Sequence, residues 1–317
     1  WYTLVTALFL LLLGLVGLWQ GTLWAVRGAV ELSERYGISQ GFVGLAILAV
    51  GTDLPELVVA VSASVEQLRG LEASGMIVGS ALGSVVAQGT LVLGVAGLFG
   101  YLPVAPRMVK RDGATLLLGV VLAAAVAADG LITQVEGLVL FLVYGVYFVA
   151  IWQAEWSGEA AEEDTLASAP FSASRSIALG VAVVLVSAHF VVTAGVDLAE
   201  SLGVSQTLLA VILVGLGTSL PELALSIRAA TERRAALSVG NVIGSNIFDL
   251  LVPIGVGAML HPLLVERATV SFDLPVLAVA TVLLLVLLLR KRGLQRWEAF
   301  VLLGFYLAYA GTRLALG

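Results

Sequence analysis

The sequence lacks cysteine, has only two histidines and carries few charged residues. Without cysteine the chain has no disulfide framework, no catalytic thiol and no thiolate ligand for zinc or copper. Charged residues make up 12% of the chain, against roughly 25% in soluble proteins. With 60% hydrophobic residues and a net charge of −6, the composition excludes an ordinary soluble domain, a disordered chain and a nucleic-acid-binding protein.

Long apolar runs dominate what is present, and the mean hydropathy is +1.05. A helix needs about 20 apolar residues to cross a bilayer, and a backbone in lipid must satisfy its own hydrogen bonds. The sequence therefore predicts an all-α membrane protein with about ten transmembrane helices. The predicted spans are 2–26, 40–64, 75–99, 114–128, 134–152, 176–196, 206–229, 237–259, 272–289 and 297–315.

One break in composition divides the chain into two halves of five spans each. It is an acidic, serine-containing stretch, typical of a solvated linker. Its acidic residues are Glu155, Glu159, Glu162, Glu163 and Asp164. We expect a first repeat at 1–152, a linker at 153–175 and a second repeat at 176–317.

The distribution of basic residues predicts the orientation in the membrane. Thirteen of the sixteen basic residues lie at loops and helix ends on one side of the predicted layout. These are Arg27, Arg35, Arg107, Lys110, Arg111, Arg175, Arg228, Arg233, Arg234, Arg290, Lys291, Arg292 and Arg296. The positive-inside rule then places the linker in the cytoplasm and both termini outside the cell membrane.

The two halves contain the same two motifs. Gly-Thr-Asp-Leu-Pro-Glu-Leu at 51–57 matches Gly-Thr-Ser-Leu-Pro-Glu-Leu at 217–223, an offset of 166 residues. The block at 79–94 matches the block at 240–255, an offset of 161 residues. Because each repeat has an odd number of spans, the two copies are expected to have opposite orientations, as in many secondary transporters.

Four acidic residues fall near the middle of predicted spans: Asp53, Glu56, Glu222 and Asp249. No lysine or arginine lies at the middle of a predicted span to neutralise them. A charge at that depth costs several kcal/mol, so such residues normally face a cavity and serve a function.

A proline precedes each of the two glutamates. Pro55 and Pro221 have no N–H, so the carbonyls of Gly51 and Gly217 are expected to lose their helical partners. Each segment would then bend and expose carbonyl oxygens beside a glutamate. Carboxylate, carbonyl and hydroxyl oxygens are the ligands that calcium prefers. His189 and His261 are interpreted as structural.

The second motif supplies polar residues on one helix face. Asn241, Ser245 and Asp249 are spaced i, i+4 and i+8, which places them in one row. The corresponding residues of the first half are Ser80, Ser84 and Gln88.

At these residues the sequence resembles the calcium/cation antiporter superfamily, in particular the prokaryotic sodium/calcium exchangers. That family carries a Gly-Thr-Ser-x-Pro-Glu segment and a Gly-Asn-x-x-Gly-Ser-Asn segment in each half. The resemblance implies that calcium is held by Glu56, Glu222 and the carbonyls of Thr52 and Thr218. It also implies sodium sites formed by the same glutamates with Ser84, Ser219, Ser245 and Asp249. Asp53 and Gln88, which stand among these residues, are further candidates for the sodium or proton site.

The first half departs from the family pattern at four positions. Asp53 stands where serine is usual, and Gln88 where asparagine is usual. Ser80 and Val85 replace the two asparagines of the second motif. These changes add a fourth carboxylate beside the site and lengthen one amide side chain.

The function predicted from these features is exchange of calcium for sodium by alternating access. The chain would be a carrier and not an enzyme, with no cofactor and with lipid as its surroundings. No obligate protein partner is predicted. Proton-coupled exchange of calcium or another cation is the main alternative, because Asp53 could take up a proton. An intramembrane aspartyl protease using Asp53 and Asp249, or a cation channel, is more remote.

Overall fold

A computed structural model describes residues 2–35, 49–156, 173–231 and 235–316. These residues form long helices and four two-residue strands. The helices are α1 (Tyr2–Arg35), α2a (Ala49–Thr52), α2b (Leu54–Leu68), α3 (Ser74–Phe99), α4 (Pro106–Ala127), α5 (Gln134–Trp156), α6 (Ala173–Leu202), α7a (Gln206–Thr218), α7b (Leu220–Thr231), α8 (Ala235–Leu260), α9 (Thr269–Arg290) and α10 (Arg296–Leu316). Three of them contain a π-helical turn: α3 at Ala87–Val92, α7a at Ala210–Val214 and α9 at Thr269–Asp273.

Most of these helices have the length and composition of membrane spans. Among the described residues, seven helices meet that condition, namely α1, α3, α5, α6, α8, α9 and α10, and the bent pair α7a and α7b adds an eighth. The predicted second span begins at residue 40, and residues 40–48 lie outside the described ranges. In α4, the first two turns carry Arg107, Lys110, Arg111 and Asp112, which leaves a short apolar stretch.

Several helices extend beyond the apolar runs that predicted them. α1 continues to Arg35 and not only to residue 26, and α6 covers Ala173–Leu202 where 176–196 was expected. α4 begins at Pro106, eight residues before the predicted start. In these three helices the predicted span ended at a charged residue. The helix continues through that residue because its end lies at the polar interface, where long charged side chains reach water.

The two halves are joined by two short antiparallel sheets. β1 (Leu102–Pro103), which follows α3, pairs with β4 (Gly293–Leu294), which lies between α9 and α10. β2 (Leu131–Ile132), between α4 and α5, pairs with β3 (Leu263–Leu264), which follows α8. Each sheet therefore contains one strand from each half.

The centre of the molecule is formed by α3 and α8, which carry the second motif of each half. Their apolar windows are 78% and 83% buried, whereas those of α5 and α10 are 17% and 28% buried. α3 approaches α7a closely, since a methyl group on Gly215 would lie 2.6 Å from the backbone N of Ser84. Small residues permit such close helix packing in membranes. The second motif of each half is thus carried by the two most enclosed of the seven span-length helices.

Candidate ion-binding site

Both proline-containing segments are interrupted helices. α2a ends at Thr52, Asp53 adopts φ −87° and ψ 5°, and α2b begins at Leu54. In the second half, Ser219 adopts φ −81° and ψ 4° between α7a and α7b, which are bent by 41°. Pro55 and Pro221 follow directly and have no N–H with which to continue the preceding hydrogen-bond ladder.

The glycines before the breaks allow α1 to pack against both of them. A methyl group on Gly51 would lie 2.7 Å from Val26 Cγ2, and one on Gly217 would lie 2.7 Å from Leu15 Cδ2. A larger side chain at either position would force the side chain of Val26 or Leu15 to shift.

The four acidic residues predicted from the sequence are enclosed and close to one another. Asp53 and Glu56 are each 1% exposed, and Glu222 and Asp249 are 0% exposed. Asp53 lies near Glu222 and Ser245, and the charge of Asp249 interacts with those of the other three carboxyl groups. Glu56 and Glu222 each lie in the first turn after a helix break. The positive end of the helix dipole favours negative charge there.

Ser84 links three of the elements that form the site. Its Oγ is 3.1 Å from Glu56 Oε1, 3.1 Å from the carbonyl oxygen of Gly215 and 3.1 Å from Thr218 Oγ1. Thr218 is 1% exposed and its hydroxyl donates to Val214 O at 3.1 Å. The hydroxyl of Ser84 thus connects α3 to both interrupted helices.

Gln88 makes the corresponding link to Asp249. Its Nε2 donates to Asp249 Oδ2 at 3.0 Å and lies 3.5 Å from Ser219 Oγ. Gln88 is fully buried and sits in the π-helical turn of α3. π-helical turns are frequent at functional sites.

Many oxygens around these carboxylates make no hydrogen bond within the described part of the chain. They are Asp53 Oδ1, Glu56 Oε2, both carboxylate oxygens of Glu222, Gln88 Oε1, Ser245 Oγ, Asn246 Oδ1 and Asp249 Oδ1. Buried polar atoms without partners are uncommon in native proteins. Hard cations such as calcium take six to eight oxygen ligands of these types.

Acidic groups alone do not form a metal site here. Among the described residues, no three Asp, Glu or His side chains converge so that they could hold a metal ion. A cation among these carboxylates would need hydroxyl, amide or backbone carbonyl oxygens as well. Thr52, 8% exposed, and Ser219, 1% exposed, lie at the two breaks where such oxygens are available.

Asn246 belongs to the same group of buried polar residues around the carboxylates, although the helical spacing does not predict it. It is 2% exposed, and its Nδ2 lies 3.3 Å from the position that a methyl group on Gly89 would occupy. The i, i+4 spacing that selected Ser245 and Asp249 leaves out the next residue along the helix. The signal was nevertheless present, because Asn246 is the second asparagine of the repeated motif.

Two other buried or half-buried acids have partners and are unlike the central four. Asp273, 0% exposed, lies 3.1 Å from Arg313 Nε and accepts a hydrogen bond from Tyr309 Oη at 3.0 Å. Glu66 lies 2.8 Å from Arg69 Nη1 and 3.3 Å from His189 Nδ1. The contact of His189 with Glu66 links α6 to α2b, which agrees with a structural role for this histidine.

The chain matches a known protein family over most of its length. The family described as sodium/calcium exchanger protein matches residues 6–153 and 175–315. The chain belongs to the sodium/calcium exchanger protein family. Its members are membrane transporters and not enzymes, so the prediction of a carrier is confirmed and the aspartyl protease alternative is wrong.

Relatives of this exchanger-family chain match it over almost its whole length. The "Sodium/calcium exchanger MaX1" of Methanosarcina acetivorans is 29% identical, with 96% of this chain and 98% of the relative aligned. The "Putative antiporter CaxA" of Alkalimonas amylolytica is 33% identical, with 96% and 98% aligned.

The fold is similar to that of a solved exchanger. A structure of the sodium-calcium exchanger NCX_Mj, soaked with Na⁺ and Sr²⁺, matches with a TM-score of 0.64 and 28% identity, and covers 96% of this chain and 97% of that chain. The prediction of an all-α, multi-pass membrane protein is therefore confirmed.

Proposed function

We propose that this chain is a secondary active antiporter that exchanges calcium for sodium by alternating access. The observation that carries the proposal is the group of four buried carboxylates, Asp53, Glu56, Glu222 and Asp249, among oxygens that make no hydrogen bond in the described residues. Names of the relatives, which include two sodium/calcium exchangers, agree with it.

The electrostatic cost of this arrangement explains why ions must enter it. Two unit charges about 4 Å apart interact by about 4 kcal/mol at the effective dielectric of a protein. Several such repulsions would approach the whole stability of a protein, roughly 5–15 kcal/mol. One calcium, two or three sodium ions, or protons can each supply the missing positive charge. Because calcium and sodium would use the same carboxylates, binding of one ion excludes binding of the other.

The ligands are assigned as the family resemblance implies. Calcium would be held by Glu56 and Glu222 with the backbone carbonyls of Thr52 and Thr218. Sodium would be held by the same glutamates with Ser84, Ser219, Ser245 and Asp249, and Asp53 and Gln88 would adjoin it. Ser84 and Gln88 already contact Glu56 and Asp249, which supports their place beside the ions.

Opposite orientation of the two halves is supported by the two small sheets. β1 at the end of α3 pairs with β4 at the end of α9, and β3 at the end of α8 pairs with β2 at the end of α4. If every helix crosses the membrane, α3 and α4 end at opposite faces. The equivalent helices α3 and α8 then end at opposite faces too, as inverted five-helix repeats require.

The same layout supports the proposed domains and sidedness. Ten spans would form repeats at 1–152 and 176–317 around a linker at 153–175. The face at which α3 and α9 end is the one with most of the basic residues, so it is assigned to the cytoplasm. Both termini would then lie outside.

Ion-swap flux in proteoliposomes tests the proposal. Vesicles that contain the purified full chain are loaded with sodium and diluted into sodium-free buffer with labelled calcium. We expect calcium uptake that requires the sodium gradient and is lost in Glu222→Gln. Asp129→Asn, at an exposed acid remote from the site, is the matched control and should transport normally. Uptake without any counter-ion would indicate a channel and contradict the proposal.

Proton coupling is the second candidate, favoured by the extra buried carboxylate of Asp53. The assay is therefore repeated with a pH gradient in place of the sodium gradient. Uptake driven only by the pH gradient would overturn the sodium assignment. Asp53→Ser separates the two mechanisms further, because a proton-coupled carrier should lose its pH dependence and a sodium-coupled carrier should keep exchange.

A further inference from the structure

The junction between β1 and β4 ties together two loops that are distant in sequence. Leu102 pairs with Leu294, and Val104 N donates to Arg292 O at 3.0 Å. The hydroxyl of Tyr101 is 2.8 Å from the carbonyl oxygens of both Lys291 and Arg292. The loop before α4 and the loop before α10 are thereby held side by side.

This pairing concentrates positive charge at one face of the molecule. The two loops and the adjoining helix ends carry seven exposed basic side chains: Arg107, Lys110, Arg111, Arg290, Lys291, Arg292 and Arg296. Two acidic residues, Asp112 and Glu298, lie in the same stretches and both are buried. Asp112 is engaged by Arg111 at 2.7 Å, and Glu298 accepts a hydrogen bond from Gln295 N at 2.8 Å. The exposed surface of the junction is therefore strongly cationic.

An open recess lies within this cationic surface. It is lined by Gly100, Tyr101, Gln295 and Arg296. Trp297 is half-exposed beside it, and the guanidinium of Arg290 lies 5.8 Å from the centre of the Trp297 ring. The N-terminus of α10 adjoins the recess, and the carboxylate of Glu298 in its first turn already accepts a hydrogen bond from Gln295 N at 2.8 Å. The guanidinium of Arg296 and the side-chain amide of Gln295, which line the recess, are therefore the donors that suit a phosphate group.

The other sheet shows that this charge is not a general property of the strand junctions. β2 and β3 are flanked by Asp129, Glu136 and Glu266 with one cation, Arg267. That junction has the same pairing of one strand from each half but a net negative charge. The basic excess thus belongs to the β1–β4 junction specifically.

We propose that the recess at the β1–β4 junction binds the headgroup of an anionic phospholipid. The lipid, in preference to a soluble phosphate, is favoured by the exposed apolar side chains next to the recess. Phe99 is 53% exposed and Phe300 is 61% exposed, so acyl chains attached to a bound headgroup would have apolar surface to cover. Aromatic residues commonly lie at the membrane interface, and basic pockets there bind acidic headgroups.

Native mass spectrometry of the purified full chain tests this proposal without reference to transport. The chain is released from mixed micelles of phosphatidylglycerol and phosphatidylcholine, and retained lipids are counted. We expect phosphatidylglycerol to be retained and at least tenfold less of it in the triple variant Arg290→Gln, Lys291→Gln, Arg296→Gln. Inorganic phosphate at millimolar concentration should not displace it.

Control variants separate loss of the site from loss of the fold. Arg267→Gln removes an exposed cation at the other junction and should retain the lipid like the unmodified chain. Arg296→Gln alone, which leaves six of the seven cations, should lower retention in a chain whose unfolding midpoint is unchanged. Equal retention by the triple variant, equal loss in Arg267→Gln, or equal retention of phosphatidylcholine would overturn the proposal. Since no flux is measured, failure here leaves the proposed exchange activity untouched.

Discussion

The two halves of the site contribute equal charge but place it differently. The first half supplies Asp53 and Glu56, and the second supplies Glu222 and Asp249. The two glutamates occupy equivalent positions. The aspartates do not, because the partner of Asp53 in the other half is Ser219, and the partner of Asp249 is Gln88.

This difference makes the site electrically uneven, although the same motifs stand in both halves. Gln88 approaches Ser219 to 3.5 Å, so one pair of equivalent positions joins an amide and a hydroxyl. The matching pair joins the carboxylates of Asp53 and Asp249, which interact with each other. The protein therefore has two acids in each half, but its two aspartates stand at positions that are not equivalent.

The largest expected effect comes from removing the charge of one of the two equivalent glutamates, Glu56 and Glu222. Glu222→Gln should lower sodium-driven calcium uptake at least about 100-fold, equivalent to ~2.7 kcal/mol. The reason is that neither Glu222 oxygen makes a hydrogen bond in the described residues, so both are available to an ion. Uptake by Glu56→Gln, measured in the same vesicles, should fall similarly. If one variant retained more than a tenth of the activity and the other did not, the two glutamates would not be equivalent. If both retained that much, the predicted loss of activity would be wrong.

A smaller effect is expected from making the two halves alike at the helix break. Asp53→Ser gives the first half the residue that stands at 219 in the second. We expect exchange to persist with calcium affinity changed by no more than about tenfold, ~1.4 kcal/mol, because Glu56, Glu222 and Asp249 remain. The concentration dependence of calcium uptake, measured between pH 6 and 9, checks this. Complete loss of sodium-driven exchange would show that Asp53 is required for it.

The smallest effect concerns the equivalent serines of α3 and α8, and it is measured as stability. Ser84→Ala removes a hydroxyl that contacts Glu56, and hydrogen bonds to charged groups contribute about 1.5–3 kcal/mol. Ser245 Oγ makes no hydrogen bond at ordinary donor–acceptor distances within the described residues, so Ser245→Ala should destabilise the protein less than Ser84→Ala does. Thermal unfolding in ion-poor buffer compares them. Equal destabilisation would remove this distinction between the halves.

Much of the site was accessible from the sequence because it depends on local rules. A proline has no N–H with which to continue a helix, and both Pro55 and Pro221 lie at breaks, whereas α8 continues through Pro253. An acid in an apolar run predicts a buried functional group, and the four selected acids are all buried. The exchanger family was also recognisable from the two repeated motifs.

Other features depend on packing between helices that no local pattern specifies. Asp273 looked like a residue at the end of a span, yet Arg313, forty positions later, lies within 3.1 Å of it. Helical periodicity does not predict Asn246, which lies off the row of Ser245 and Asp249. Charged residues do not end α1 or α4, so both helices are longer than their apolar runs predict.

Hydropathy, proline chemistry and repetition act within a few residues of the chain, so the helices, the membrane location, the repeated motifs and the four acids in apolar runs can be predicted from the amino-acid sequence. Packing between distant helices sets which oxygens are left without partners, that Gln88 donates to Asp249, and that β1 and β4 bring seven cations together. Hydrogen bonds and charge clusters of this kind form between atoms that are a few ångströms apart in space. Those atoms belong to helices whose approach is set by the packing of small residues.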